Sequence, residues 1–192
     1  MKSILKTETK IVIADARLSY ANLYEPRSIN GSDPKYSVSL IIDKDDKHTL
    51  QLIETAIGNA VQTGIEKKWS GKKPKNLKLP LRDGDEERDD EAYANAMFIN
   101  ANSTKPPVVV GKERDRATGK IIPLGTDDVY SGCYANVSIN FYPFDINGNR
   151  GVAAGLGNVQ KERDGVPLSS YASRAEDDFE FVEVDTDDDF LN

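Results

Sequence analysis

The chain has 192 residues, with 25 Lys or Arg against 32 Asp or Glu, one His and one Cys, and a formal net charge of -7. That length suits one domain, burying roughly 70% of the unfolded surface without staples, and a lone cysteine excludes an intramolecular disulfide or a thiolate zinc cluster in one chain. No apolar run approaches the ~18–20 residues of a membrane span, the N-terminus lacks the apolar stretch of a secretory signal, and taken as an average the acidity argues against a polyanionic partner.

In chain order, KIVIADARLSY at 10–20 alternates with a period of two and predicts a strand. Val12, Ala14, Ala16, Leu18 and Tyr20 share one face, and Asp15, Arg17 and Ser19 the other. KYSVSLII at 35–42 sets Tyr36, Val38, Leu40 and Ile42 against Lys35, Ser37, Ser39 and Ile41. Leu50, Ile53, Ile57, Val61 and Ile65 then recur at helical spacing behind Asp43, Asp45 and Asp46, which suit an N-terminal cap. His48, at the polar start of this helix, reads as a solvated residue.

From Lys67 to Arg82 the chain carries six lysines, one arginine and no acid; from Arg82 to Glu91 it carries seven carboxylates against two arginines. Both stretches read as exposed loops, because Gly71, Pro74, Pro80 and Gly84 interrupt them and neither has apolar periodicity. A strand follows at 93–102, and a hairpin with a charged tip at 108–124. The clearest strand is 133–144: Cys133, Ala135, Val137, Ile139 and Phe141 face one side, and Tyr134, Asn136, Ser138, Asn140 and Tyr142 the other. INGNRG at 146–151 predicts a tight turn into GVAAGLGNVQ, whose glycines mark a bulged or bent strand. Short strands with one helix inserted predict a mainly β fold built on a small antiparallel barrel.

Residues 176–192 hold nine of the acids and none of the bases, which leaves residues 1–175 with 25 bases against 23 acids, a net of +2. The division is a folded domain, 1–175, and a disordered acidic tail, 176–192, punctuated by Phe179, Phe181, Val182, Val184, Phe190 and Leu191. That alternation of acid and large apolar residues is not the composition of a mere solubility tag, and a solvated terminus that only keeps the chain soluble is the alternative.

Catalytic constellations are thin. One histidine builds neither a His-based triad nor a two-histidine metal site, Cys133 lies in a core-facing register, and no phosphate-binding glycine motif is present. The enzymatic alternative is a magnesium-dependent nuclease using carboxylates at 83–91, crowded on one loop where a two-metal site draws ligands from rigid, distant elements. No cofactor or metal is expected.

Tyrosines beside lysines point elsewhere. Single-strand binders combine aromatic stacking planes with a cationic groove. The candidate DNA-binding residues are Arg17, Tyr20, Lys35, Lys67, Lys68, Trp69, Lys72, Lys73, Lys75, Arg82, Phe98, Tyr134, Tyr142 and Arg150. Any one of the tyrosines, taken singly, is better accounted for at the rim of the core with its hydroxyl in water.

ARLSYANLYEP at 16–26, DPKYSVSLII at 33–42, PLRDGDEERDDEAYANAMFINANS at 80–103, VYSGCYANVSINFYPF at 129–144 and SRAEDDF at 173–179 together resemble bacteriophage single-stranded DNA-binding proteins, a family long catalogued as a domain of unknown function in phages and prophages. The resemblance implies an OB-fold barrel, with long loops, that coats single-stranded DNA during phage replication and recombination in the cytoplasm of an infected or lysogenic bacterium. It also implies an acidic tail ending near an aromatic residue. Here the end is DDDFLN, so Phe190 is not terminal.

The expected mechanism has Asp177, Asp178, Phe179, Phe181, Asp187, Asp188, Asp189 and Phe190 competing for the DNA groove and recruiting replication or recombination proteins. Single-stranded DNA is the expected partner, duplex a weaker one, and a membrane none. A strand-annealing protein and a non-DNA interaction module are the other non-enzymatic readings.

Overall fold

The computed structural model describes residues 1–28 and 31–168; the tail expected at 176–192 lies outside them. The elements in order are β1 Ile4–Leu5, β2 Lys10–Arg27, β3 Lys35–Asp43, α1 Lys47–Lys67, β4 Leu81–Asp83, α2 Gly84–Glu87, a 3-10 turn Glu91–Tyr93, β5 Ala96–Ser103, β6 Val109–Arg114, β7 Ile121–Pro123, β8 Tyr134–Ile146 and β9 Asn149–Arg163. β2 pairs antiparallel with β3 and with β8, β3 with β5, and β8 with β9. A parallel pairing of β5 with β9, Ala101 opposite Ala154, closes these five strands into a barrel.

The expected strand phase holds in β8 and the residue before it, where Cys133, Ala135, Val137, Ile139 and Phe141 are all buried. Asn147 and Gly148 both adopt positive φ (51° and 80°) between β8 and β9, the two-residue turn that matches the twist of a hairpin.

In β2 the single expected phase is corrected. Ile11 and Ile13 face the core first, and Ala16 and Leu18 only after an irregularity between Ile13 and Ala16. Asp15 sits there at φ 51°. Its amide donates to Asn136 Oδ1 at 3.1 Å, while Asn136 Nδ2 donates to Gln160 and Glu162. An extra residue in one strand flips every later side chain to the other face, and Asn136 fills the gap that it leaves.

Helix α1 starts at Asp46, whose carboxylate accepts from the Thr49 amide at 3.0 Å, and it buries Ile53, Ala56, Ile57 and Ala60 in the core shared with the barrel strands. Its end is set by Trp69, which folds back so closely that a Cβ on Gly64 would lie 2.5 Å from the indole. Hence glycine is required at that point of an otherwise ordinary helix.

The two charged stretches are not wholly loop, another correction. β4 pairs with β5, and the short helix α2 and the 3-10 turn are capped by Asp83 and Asp90. Side-chain capping by Asp offsets the missing apolar periodicity.

Candidate nucleic-acid interface

The outward positions of β2, β3 and β5 form a floor of short polar side chains. Asn22 lies opposite Ser37, Ser37 opposite Asn102, and Ser39 opposite Asn100. A groove of about 660 Å³ runs over it, rimmed by Tyr20, Arg27, Lys35 and Arg88.

Tyr20 is 60% exposed and held at φ 47°. A bulky residue rarely takes this left-handed conformation, which costs on the order of 1–3 kcal/mol. The conformation follows from the register break between Ser19 and Asn22. It is fixed by Asn22 Nδ2, which donates to Tyr20 O at 3.1 Å and to Ser37 Oγ at 3.2 Å, and by the Ala21 amide, which donates to Ser131 Oγ at 3.0 Å. The strand is thereby bent so that an aromatic ring projects instead of packing.

Beneath one end of the groove lies a second apolar cluster of Ile41, Tyr93, Ala96 and Phe98. The Tyr93 and Phe98 rings meet edge to face at 5.2 Å. The Arg88 guanidinium lies over Phe98 at 5.0 Å, Tyr93 at 5.3 Å and Tyr20 at 5.8 Å. No ion pair is formed by Arg27, Lys35 or Arg88 among the described residues, and Arg88 Nε is buried without a hydrogen-bond partner.

Of the residues singled out in the sequence, Tyr20 and Lys35 meet in this groove. Trp69 and Phe98 are corrected: they are 1% and 0% exposed, and neither offers a face to a base. Trp69 is a core residue whose Nε1 donates to Phe144 O at 3.2 Å, and Phe98 is covered by Arg82 and Arg88. Tyr134 is stacked by Arg163 at 3.4 Å, and Arg163 is in turn held by Asp15. Arg17 donates from Nη2 to Val166 O at 2.9 Å, Arg82 pairs with Glu87, and Arg150 pairs with Asp145 at 2.7 Å.

Tyr142 is 41% exposed on the outer face of β8, its ring leaning over Gly155, which pairs with Asn102 of the groove floor. Lys67, Lys68, Lys72, Lys73 and Lys75 are exposed at the end of α1, away from the groove. The sequence reading missed Arg27, Arg88, Asn100 and Asn102. The asparagines alternate with buried Ile99 and Ala101, a legible signal, whereas Arg88 was hidden in an acidic run.

That run is organised by Lys44, whose Nζ contacts Asp83 and Asp85 at 2.6 Å each. Hydrogen bonds from Lys44 hold both carboxyls below the usual carboxylate range and raise the Lys44 ammonium. Among the described residues no group of three His, Cys, Asp or Glu is placed to share a metal ion, and no helix is long and apolar enough to cross a membrane.

Strand order, the parallel closing pair and the exposed groove over the first three barrel strands define an OB-fold protein. Comparison with known proteins gives the same class. A family model described as Enterobacter phage Enc34, ssDNA-binding protein, matches residues 9–191, so the chain belongs to the Enc34 single-stranded DNA-binding protein family.

The fold is shared with the single-stranded DNA-binding protein from bacteriophage Enc34 solved in complex with ssDNA. There the TM-score is 0.72 and the identity 23%, over 86% of this chain and 97% of that one. It is shared more distantly with gp2.5, a single-stranded DNA-binding protein encoded by bacteriophage T7, with a TM-score of 0.54 and 15% identity over 95% and 99% of the two chains. In sequence the chain is 29% identical over 194 residues to putative protein p50 of Acyrthosiphon pisum secondary endosymbiont phage 1, covering 95% of this chain and 98% of that protein.

Proposed function

We propose that the chain binds single-stranded DNA without strong sequence preference, laying the strand across the β2–β3–β5 face during phage DNA replication and recombination in the host cytoplasm. The observation that carries this reading is Tyr20, an exposed ring held at a strained φ of 47° above a floor of Ser and Asn and between arginines that form no ion pair among the described residues. A stacking plane contributes about 1–3 kcal/mol per base whatever the base. Arg27, Lys35 and Arg88 neutralise phosphates, and the short floor side chains leave room for bases to lie flat. Duplex binds more weakly, because its bases cannot reach Tyr20. The test is a gel shift with single strand and duplex on the full chain: single strand shifting at lower protein concentration supports the reading, and equal or inverted affinity removes it.

The acidic tail, in this reading, competes with DNA for the groove and recruits replication or recombination proteins once displaced. Leu168 supports it: its amide donates to Ser131 O at 2.8 Å and its side chain packs on the Tyr93–Phe98 cluster. The chain therefore leaves the described fold beside Arg88. Eight residues from Leu168 to Glu176 reach at most about 28 Å, enough to bring the carboxylates over the groove.

The protein acts by binding and not by catalysis. The Asp83 and Asp85 carboxylates of the nuclease alternative are bridged by the Lys44 ammonium and cap local backbone, a structural employment of both groups.

A further inference from the structure

We infer that the lysine cluster following α1 is a second, stacking-free phosphate site, which holds the DNA strand beyond the groove. This deepens the proposed function and rests on the groove being the primary site. Lys67, Lys68, Lys72, Lys73 and Lys75 are all exposed. None of them forms an ion pair or side-chain hydrogen bond among the described residues, whereas Lys44, Lys112 and Lys161 each pair with a carboxylate. Five cations within nine residues repel one another, and no ion pair among the described residues offsets that repulsion.

The segment is fastened at both ends. Trp69 is buried against Gly64, the Gly71 amide donates to Ile65 O at 2.9 Å, and the Lys72 amide donates to Trp69 O at 3.2 Å. Further on, the Lys78 amide donates to Arg150 O at 3.0 Å, and Lys78 O accepts from the Val152 amide at 2.9 Å, joining the loop to β9. The buried tryptophan thus anchors the backbone that carries these ammonium groups, and no aromatic side chain is exposed within the segment.

Its position supplies the path. Lys78 bridges Gly151 of β9; on the same strand Ala153 lies opposite Tyr142, and Gly155 lies opposite Asn102 of the groove floor. A strand running from Tyr20 over Ser37 and Asn102 comes to Tyr142 and then to the lysines. The groove reads bases by stacking, and the cluster sees only phosphodiester charge. The acidic tail carries the same class of charge and is the alternative occupant that the test separates.

Oligo-dT of roughly 6 and roughly 14 nucleotides, within the span of one OB fold, is titrated onto the full chain, onto the triple variant Lys72→Ala, Lys73→Ala and Lys75→Ala, and onto Tyr20→Ala. The triple variant is expected to lose about tenfold on the longer oligonucleotide, with a salt dependence flatter by about 2 in log–log slope at ~0.7 per phosphate released, and to bind the shorter one as the native chain does. Equal loss at both lengths, or no loss at either, overturns the inference. Tighter binding by the triple variant overturns it in favour of the acidic tail as occupant. Unchanged binding of both lengths by Tyr20→Ala instead breaks the groove reading.

Discussion

The Arg88 guanidinium lies 5.8 Å from the centre of the Tyr20 ring, joining an exposed aromatic on a bent strand to an arginine from the middle of an acidic run. Arg88 also covers Tyr93 and Phe98, so its charge is positioned by three rings and, among the described residues, by no ion pair. Stacking plane and cation meet at one end of the groove, where a base and its phosphate can be held together.

Tyr20 separates function from stability. Tyr20→Gly removes the ring and relieves left-handed strain of ~1–3 kcal/mol, which outweighs the ~0.5–1 kcal/mol entropic cost of glycine. Calorimetry is expected to show an unchanged or higher Tm, with oligo-dT affinity lower by about 1–3 kcal/mol. A lower Tm would mean that the ring supports the fold.

Trp69 behaves in the opposite way. Its burial against Gly64 predicts that Trp69→Ala costs roughly 3–5 kcal/mol of stability. The native tryptophan emission is expected to be that of a buried indole and to change little on DNA binding. Strong quenching by oligo-dT would place a base on it and contradict the core assignment.

Acid sensitivity follows from Lys44. Asp83 and Asp85 titrate below their ordinary 3.8 in the folded chain, held there first by the Lys44 hydrogen bonds. The unfolded chain takes up protons first, so this stabilisation is complete above about pH 4 and is lost as pH falls through the folded values. Lys44→Met is expected to flatten the fall in Tm below pH 4 relative to the native chain. Parallel curves would show that the pair contributes nothing.

Deleting residues 176–192 is expected to tighten binding to oligo-dT, most at low salt where charge competition is strongest. Unchanged or weaker binding would remove the tail from the groove.

Much of this was legible in the sequence. The inward faces of β3 and β8, the Asp46 cap of α1 and the Asn147–Gly148 turn follow from local chemistry, and the structure keeps them. The phase of β2 did not, because a bulge at Asp15 leaves no mark in an alternating pattern. Nor could spacing tell that Trp69 is core: beside lysines, an aromatic that anchors the backbone reads like one that stacks. Arg88 escaped because it stands within an acidic run read as an exposed loop, while the rings that hold it come from distant strands and a turn.

Single-strand binding through this groove is tested by a salt titration of oligo-dT binding to the native chain, Tyr20→Ala and Arg88→Ala. The native slope of log K against log salt is expected near -0.7 per phosphate contacted. Tyr20→Ala should lower affinity at every salt concentration with that slope kept, since stacking releases no counterions, and Arg88→Ala should flatten the slope by about 0.7. A flat native dependence, with neither variant weaker than the native chain, would contradict single-strand binding through this groove.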